Sequence, residues 1–185
     1  MNSYYELNVA GIKRNLPLCK VNDDLYIAAF VMFGDVELTK VCAKELLKIA
    51  PEHDIMITAE SKGIPLLYEM ARQSNANNYL LARKGPKLYM QDIITVDVDS
   101  ITTEKKQILC IGKADADLMR GKRVLIVDDV ISTGESLAAL TKLVEAAGGN
   151  IVGKMAVLAE GDAIERHDIT CLAPLPLFDK DGNVI

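Results

Sequence analysis

Two adjacent carboxylates, Asp128 and Asp129, are followed within a few residues by Ser132, Thr133, Gly134, Glu135 and Ser136. A turn built of hydroxyl residues and glycine lets backbone N–H groups converge. A helix starting behind it adds the positive end of its dipole, and the two together make a seat for an anion, most naturally a phosphate. The carboxylates repel such an anion; they suit hydroxyl groups, or a metal held through water. Phosphate on one side and a diol on the other describe a ribose 5-phosphate. Two plainer readings compete. Val-Asp-Asp at a strand end also fits a phosphoacceptor site whose acids bind a metal, but several βα units of about 30 residues or more would then follow. The chain beyond Asp129 is too short for them. A capped helix behind a core strand is the reading without chemistry.

Other segments place charge where it would serve the same crevice. Glu60-Ser61-Lys62-Gly63 closes an apolar run, and a glycine with a cation there offers backbone N–H groups and charge to a second anion. Arg83 and Lys84 end another apolar run, with Lys87 and Tyr89 just beyond. Read plainly, that is a solvated basic stretch.

The elements that must hold these residues follow from apolar spacing. Val124 to Val127 are four β-formers in a row, read as a strand buried on both faces, with the acids following where it emerges. Leu137, Leu140, Leu143 and Val144 carry helical spacing, and Gly148-Gly149 ends that helix. Ile151 to Leu158 is a further strand. Upstream, Val36 to Ala50 reads as a helix stopped by Pro51, Asp54 to Glu60 as a buried strand, Ile64 to Arg72 as a helix with Pro65 in its first turn, and Tyr79 to Ala82 as a third strand. Strand and helix alternate, so an α/β fold with a mostly parallel central sheet flanked by helices is expected. Ile94, Val96 and Val98 alternate with polar residues, and Ile108 to Ile111 is apolar again. The polar stretch between them predicts a protruding hairpin. In the first 33 residues, Leu7, Val9, Leu16 and Leu18 suggest short strands interrupted by Gly11 and Pro17.

Composition narrows the classes. A chain of 185 residues with 50% hydrophobic content predicts one domain with a sizeable core, and a net charge of −5 argues against a surface built to bind nucleic acid. Cys19, Cys42, Cys110 and Cys171 lie far apart without metal-ligand spacing, which predicts reduced, mostly buried thiols in a cytoplasmic protein. Only His53 and His167 are present, which speaks against a histidine metal site or triad. No signal peptide is evident, and no apolar run is long enough to span a membrane.

The 124–136 stretch closely resembles the phosphoribosyl pyrophosphate signature of type I phosphoribosyltransferases: an apolar run, two acids and a Thr-Gly phosphate loop. The resemblance extends over roughly Asp35 to Leu158 and points to the adenine and xanthine branch. It implies the type I fold as one domain over 1–185, with a small hood from about 1–34 and 159–185 and a flexible hairpin lid at about 84–107. It implies that Asp128 and Asp129 hold the ribose hydroxyls and that Ser132 to Ser136 hold the 5′-phosphate. Ser61, Lys62 and Gly63 look like the pyrophosphate loop, often carrying a non-proline cis peptide, although Lys62 departs from the purine enzymes' Glu-Ala-Arg-Gly and Glu-Ala-Ser-Gly. Arg83, Lys84 and Lys87 match an Arg-Lys-x-x-Lys segment, with Tyr89 beside it, as further pyrophosphate ligands. Glu104 takes the place of a loop carboxylate that would protonate the purine, and Phe33 that of an aromatic stacked on the base. Also implied are Mg²⁺ held mainly by the substrate, a homodimer, and transfer of ribose 5-phosphate to a purine with release of pyrophosphate. The alternative is a regulatory module that binds the donor without turnover. A pyrimidine-type transferase is disfavoured by Glu60-Ser-Lys-Gly and Arg83-Lys84.

Overall fold

Leu7, Val9 and Leu16 alternate with polar neighbours, and the chain turns that alternation into a hairpin with one buried face. Strand β1 (Tyr4–Val9) pairs antiparallel with β2 (Ile12–Lys20) through a two-residue turn, Ala10-Gly11, with φ of 53° and 77°. Two left-handed residues give the primed turn whose twist matches that of the strands. Pro17 does not interrupt β2, contrary to the sequence reading. It pairs with Tyr4 at the very end of the β1 ladder, where its missing N–H costs nothing, and its carbonyl accepts from the Ala29 N–H at 2.9 Å. Strand β3 (Tyr26–Ala28) lies on the other side of β2. The computed structural model describes residues 4–98 and 107–185.

Helix α1 (Val36–Ile49) is capped by Asp35, whose carboxylate accepts from the Leu38 N–H at 3.0 Å, and it buries Leu38, Cys42 and Leu46. All five residues of β4 (Ile55–Ala59) are buried. Helix α2 (Ile64–Gln73) follows with Pro65 in its first turn, then β5 (Leu80–Ala82). Strands β6 (Ile94–Val98) and β7 (Gln107–Ile111) form the expected antiparallel hairpin, but its base does not protrude. Ile94, Val96 and Val98 pack on the core, and Leu109, Cys110 and Ile111 are buried. A short helix α3 (Lys113–Met119) was not foreseen: only Ala116 and Met119 are buried, too few positions to leave a period.

Strand β8 (Arg123–Ile131) is longer than its apolar run predicts, and the two acids lie inside it. It leads to α4 (Glu135–Ala146), β9 (Asn150–Glu160), a 3₁₀ turn at Gly161–Glu165, β10 (Thr170–Leu175) and β11 (Leu177–Phe178). The central sheet has the order β10-β9-β8-β4-β5, and all its pairings are parallel. The second sheet, β1-β2-β3-β11, is antiparallel and forms a hood. Of the segment after residue 159, β10 joins the central sheet, and only the short β11 adds a strand to the hood.

Both faces of the central sheet are covered, which its unbroken apolar strands require. Leu125 and Val127 face α1, α2 and the hood, with Leu38, Leu46, Leu67 and Phe30 in that core. Val124 and Ile126 face the other way, toward Leu137, Leu140, Leu143 and Val144 of α4 and Met119 of α3. Helices α2 and α4 thus leave neighbouring strands β4 and β8 on opposite faces. Between those two strands the winding reverses, and a crevice opens at their carboxyl ends.

Candidate active site

That crevice holds a cavity of about 580 Å³. The end of β8 supplies one wall. Within the β8–β9 ladder Asp128 pairs with Ala156 and Val130 with Leu158, so strand hydrogen bonds fix the backbone of the acids. Asp129 is 3% exposed, and its own N–H donates to Asp128 Oδ1 at 2.9 Å. Burial pushes the Asp128 carboxyl well above the usual carboxylate range, and the neighbouring Asp129 charge adds to the shift. Asp129 Oδ2 is buried and accepts no hydrogen bond from the described residues; the Lys62 ammonium stands 3.6 Å away. A buried anionic oxygen facing a cavity and lacking a donor is suited to a cation or a ligand hydroxyl.

Beyond β8 the chain turns through Ser132, Thr133 and Gly134, all on the cavity, and enters α4. Gly134 has φ +81°, a conformation that residues with a side chain rarely adopt. Ser136, in the first turn of α4, also lines the cavity, whereas Glu135 does not. The acid pair and the hydroxyl-and-glycine turn therefore lie side by side on one cavity.

The end of β4 supplies the facing wall. Ser61 and Lys62 line the cavity, and the Glu60–Ser61 peptide is cis. Gly63 is needed for close approach: a Cβ there would collide with Thr58 Oγ1 and stand 3.1 Å from Asp128 Oδ1. Glu60 is held by its neighbours. Its Oε2 accepts from the Lys84 N–H at 3.0 Å, and Arg83 Nη2 lies 3.3 Å from Oε1. The Lys84 N–H bond and the surrounding cations hold this carboxyl below its ordinary value.

Not every residue singled out by sequence reaches the cavity. Lys84 does, but Arg83 turns to Glu60, and its buried Nε has no hydrogen-bond partner among the described residues. Lys87 and Tyr89 are outside the lining, and Tyr89 is 71% exposed. Phe33 is 51% exposed and also off the cavity; the aromatic on its wall is Phe30, from the segment between β3 and α1. Glu104 and most of the expected lid tip lie outside the described residues. Glu160, at the end of β9, also lines the cavity, with its pKa raised by burial and opposed by the Lys62 charge. Its place at the end of an apolar run marks it in the sequence. Among the described residues no three His, Cys, Asp or Glu side chains group so as to hold a metal by themselves.

Comparison with known proteins gives this geometry its context. The family model described as phosphoribosyl transferase domain matches residues 37–175. The xanthine phosphoribosyltransferase of Exiguobacterium sp. (strain ATCC BAA-1283 / AT1b) is 30% identical over 157 residues, covering 80% of this chain and 72% of the relative. The adenine phosphoribosyltransferase of Rhodococcus jostii (strain RHA1) is 30% identical over 129 residues, 69% of each chain. In fold, the chain is similar to the crystal structure of adenine phosphoribosyltransferase from Thermoanaerobacter pseudethanolicus, with a TM-score of 0.66 at 20% identity over 93% of this chain and 95% of that one.

Proposed function

The chain belongs to the phosphoribosyl transferase domain family, and from that premise we propose that it transfers the ribose 5-phosphate of phosphoribosyl pyrophosphate to a purine base and releases pyrophosphate. The observation that carries this reading is the meeting, in one cavity, of the acid pair, the Ser132–Gly134 turn and the Ser61–Lys62 loop under an apolar hood wall.

Each group has a task in displacement at the ribose C1. The turn and the start of α4 take the 5′-phosphate. Asp128 and Asp129 accept hydrogen bonds from the ribose hydroxyls and favour the positive charge that grows on the sugar as the bond to pyrophosphate lengthens. Lys62 and Lys84 face the departing anion and offset its charge. Phe30 and Val31 give the base a flat apolar wall from the hood, the place that sequence gives to Phe33. The orphaned Oδ2 of Asp129 fits a divalent cation: Asp128 and Asp129 would help hold Mg²⁺, which when bound supplies charge neutralisation on the pyrophosphate. Four free cysteines, two of them buried, support a cytoplasmic setting, and no described helix is long and apolar enough to cross a membrane.

The test is pyrophosphate release from phosphoribosyl pyrophosphate with adenine, hypoxanthine, guanine and xanthine supplied singly. Release with at least one base is expected. Donor binding without release from any of them would assign the chain to ligand sensing instead.

A further inference from the structure

Arg166 is absent from the lining of the main cavity, yet it touches the turn that forms the cavity's edge. A Cβ on Gly134 would collide with Arg166 Nη1. The turn needs glycine for its left-handed φ of +81°, and the guanidinium occupies the space that glycine leaves open. The cation is clamped in that position. Its Nε donates to Asp168 Oδ1 at 2.9 Å and its Nη2 to Asp168 Oδ2 at 2.8 Å, a bidentate pair, which leaves Nη1 toward the turn. Lys154 Nζ, 3.5 Å from the same Oδ2, helps fix the carboxylate. Gly134 lines the main cavity and Arg166 lines a separate one of about 280 Å³, so the guanidinium reaches the turn from outside the main cavity.

We propose that Arg166, held by Asp168, is a positioning residue for the anion seat. It braces the Gly134 turn and adds positive potential beside the backbone N–H groups that face a phosphate monoester. The inference rests on the assignment of Ser132 to Ser136 to the 5′-phosphate. A cation beside the amides strengthens the field they present without meeting the ligand. Only His167 separates Arg166 from Asp168, so this pair forms within its own loop, and its contact with Gly134 is what links it to the site.

The experiment measures binding of ribose 5-phosphate and, separately, of pyrophosphate by calorimetry, with KM and kcat for phosphoribosyl pyrophosphate. Arg166→Met is expected to weaken ribose 5-phosphate about five- to tenfold, a loss of the size that one charge near a helix start brings. Pyrophosphate affinity should stay the same, and the loss should appear in KM more than in kcat. Arg166→Lys should recover part of the affinity, and Asp168→Asn, which frees the guanidinium, should lose part of it. Raising the salt concentration should narrow the gap between wild type and Arg166→Met. Unchanged ribose 5-phosphate affinity in Arg166→Met would overturn the inference, as would equal losses for both ligands. If Arg166→Met does not fold, the same readings on Asp168→Asn decide. A wild-type chain that takes up neither ligand would overturn the phosphate assignment and this inference with it.

Discussion

Asp128 shows how the site's chemistry works against the fold that carries it. Its carboxyl is pushed up by burial and by Asp129, so the ligand-free folded chain holds that proton more tightly than the unfolded chain does. A raised carboxyl contributes stability that is fully present below the unfolded value of about 3.9 and is lost as pH rises through the folded value. Asp128→Asn removes the titration. The variant should match wild type near pH 4 and melt about 2–4 °C higher at pH 8, corresponding to about 1 kcal/mol. It should also lose turnover, because an amide cannot favour a cationic sugar. Calorimetry at the two pH values that found no gain at the higher one would contradict this account.

At the same scale, what sequence could reveal depended on distance along the chain. The acid pair and its Ser-Thr-Gly turn are local chemistry, and the structure brings them to one cavity. The aromatic on the wall was harder to place. Phe30 and Phe33 are three residues apart in a segment without regular structure, so no period says which one turns inward. The pairing of Arg83 with Glu60 is not legible for another reason: Glu60 lies on a different strand end.

Among the elements, those with a full apolar period were legible. Helix α4 is the clearest case, with Leu137, Leu140, Leu143 and Val144 all buried against the sheet. Leu143 is 0% exposed, so Leu143→Ala should cost about 2–5 kcal/mol in urea denaturation, from lost transfer energy plus the cavity left behind. A cost under 1 kcal/mol would mean that α4 is held mainly by something other than this face. The elements that escaped did so for physical reasons. Helix α3 buries two positions only, and β8 runs on through charged residues because its ladder with β9 continues after its apolar side chains end. The hairpin reads as polar at its exposed positions, while its other face packs on α4 and the core.

For the molecule as a whole, two sheets divide the work. The parallel sheet carries the groups that would take the donor, and the hood adds the apolar wall. The hood is tied down by Arg14 of β2, whose Nε meets the helix-capping Asp35 Oδ2 at 2.7 Å and whose Nη2 reaches Glu37 at 2.8 Å. A further surface is unaccounted for within one chain. Leu88 and Tyr89 stand out in solvent beside Lys87, away from the cavity. In the homodimer that the reading as a transferase implies, Leu88 and Tyr89 would be covered by a second copy. Sedimentation should give about twice the chain mass for wild type and a shift toward monomer for the double substitution Leu88→Ser, Tyr89→Ser. A wild-type monomer at micromolar concentration would exclude this arrangement.

The acids inside β8 have one last implication. Loops bend when something enters a crevice, but β8 carries its ladder with β9 on through Asp128 and Val130, and strand backbone held in such a ladder opens only at a free energy nearer that of unfolding. Asp128 and Asp129 therefore serve as a fixed datum, like the bed of a lathe, and the turn after β8, the loop after β4 and the hood are the parts that adjust to it.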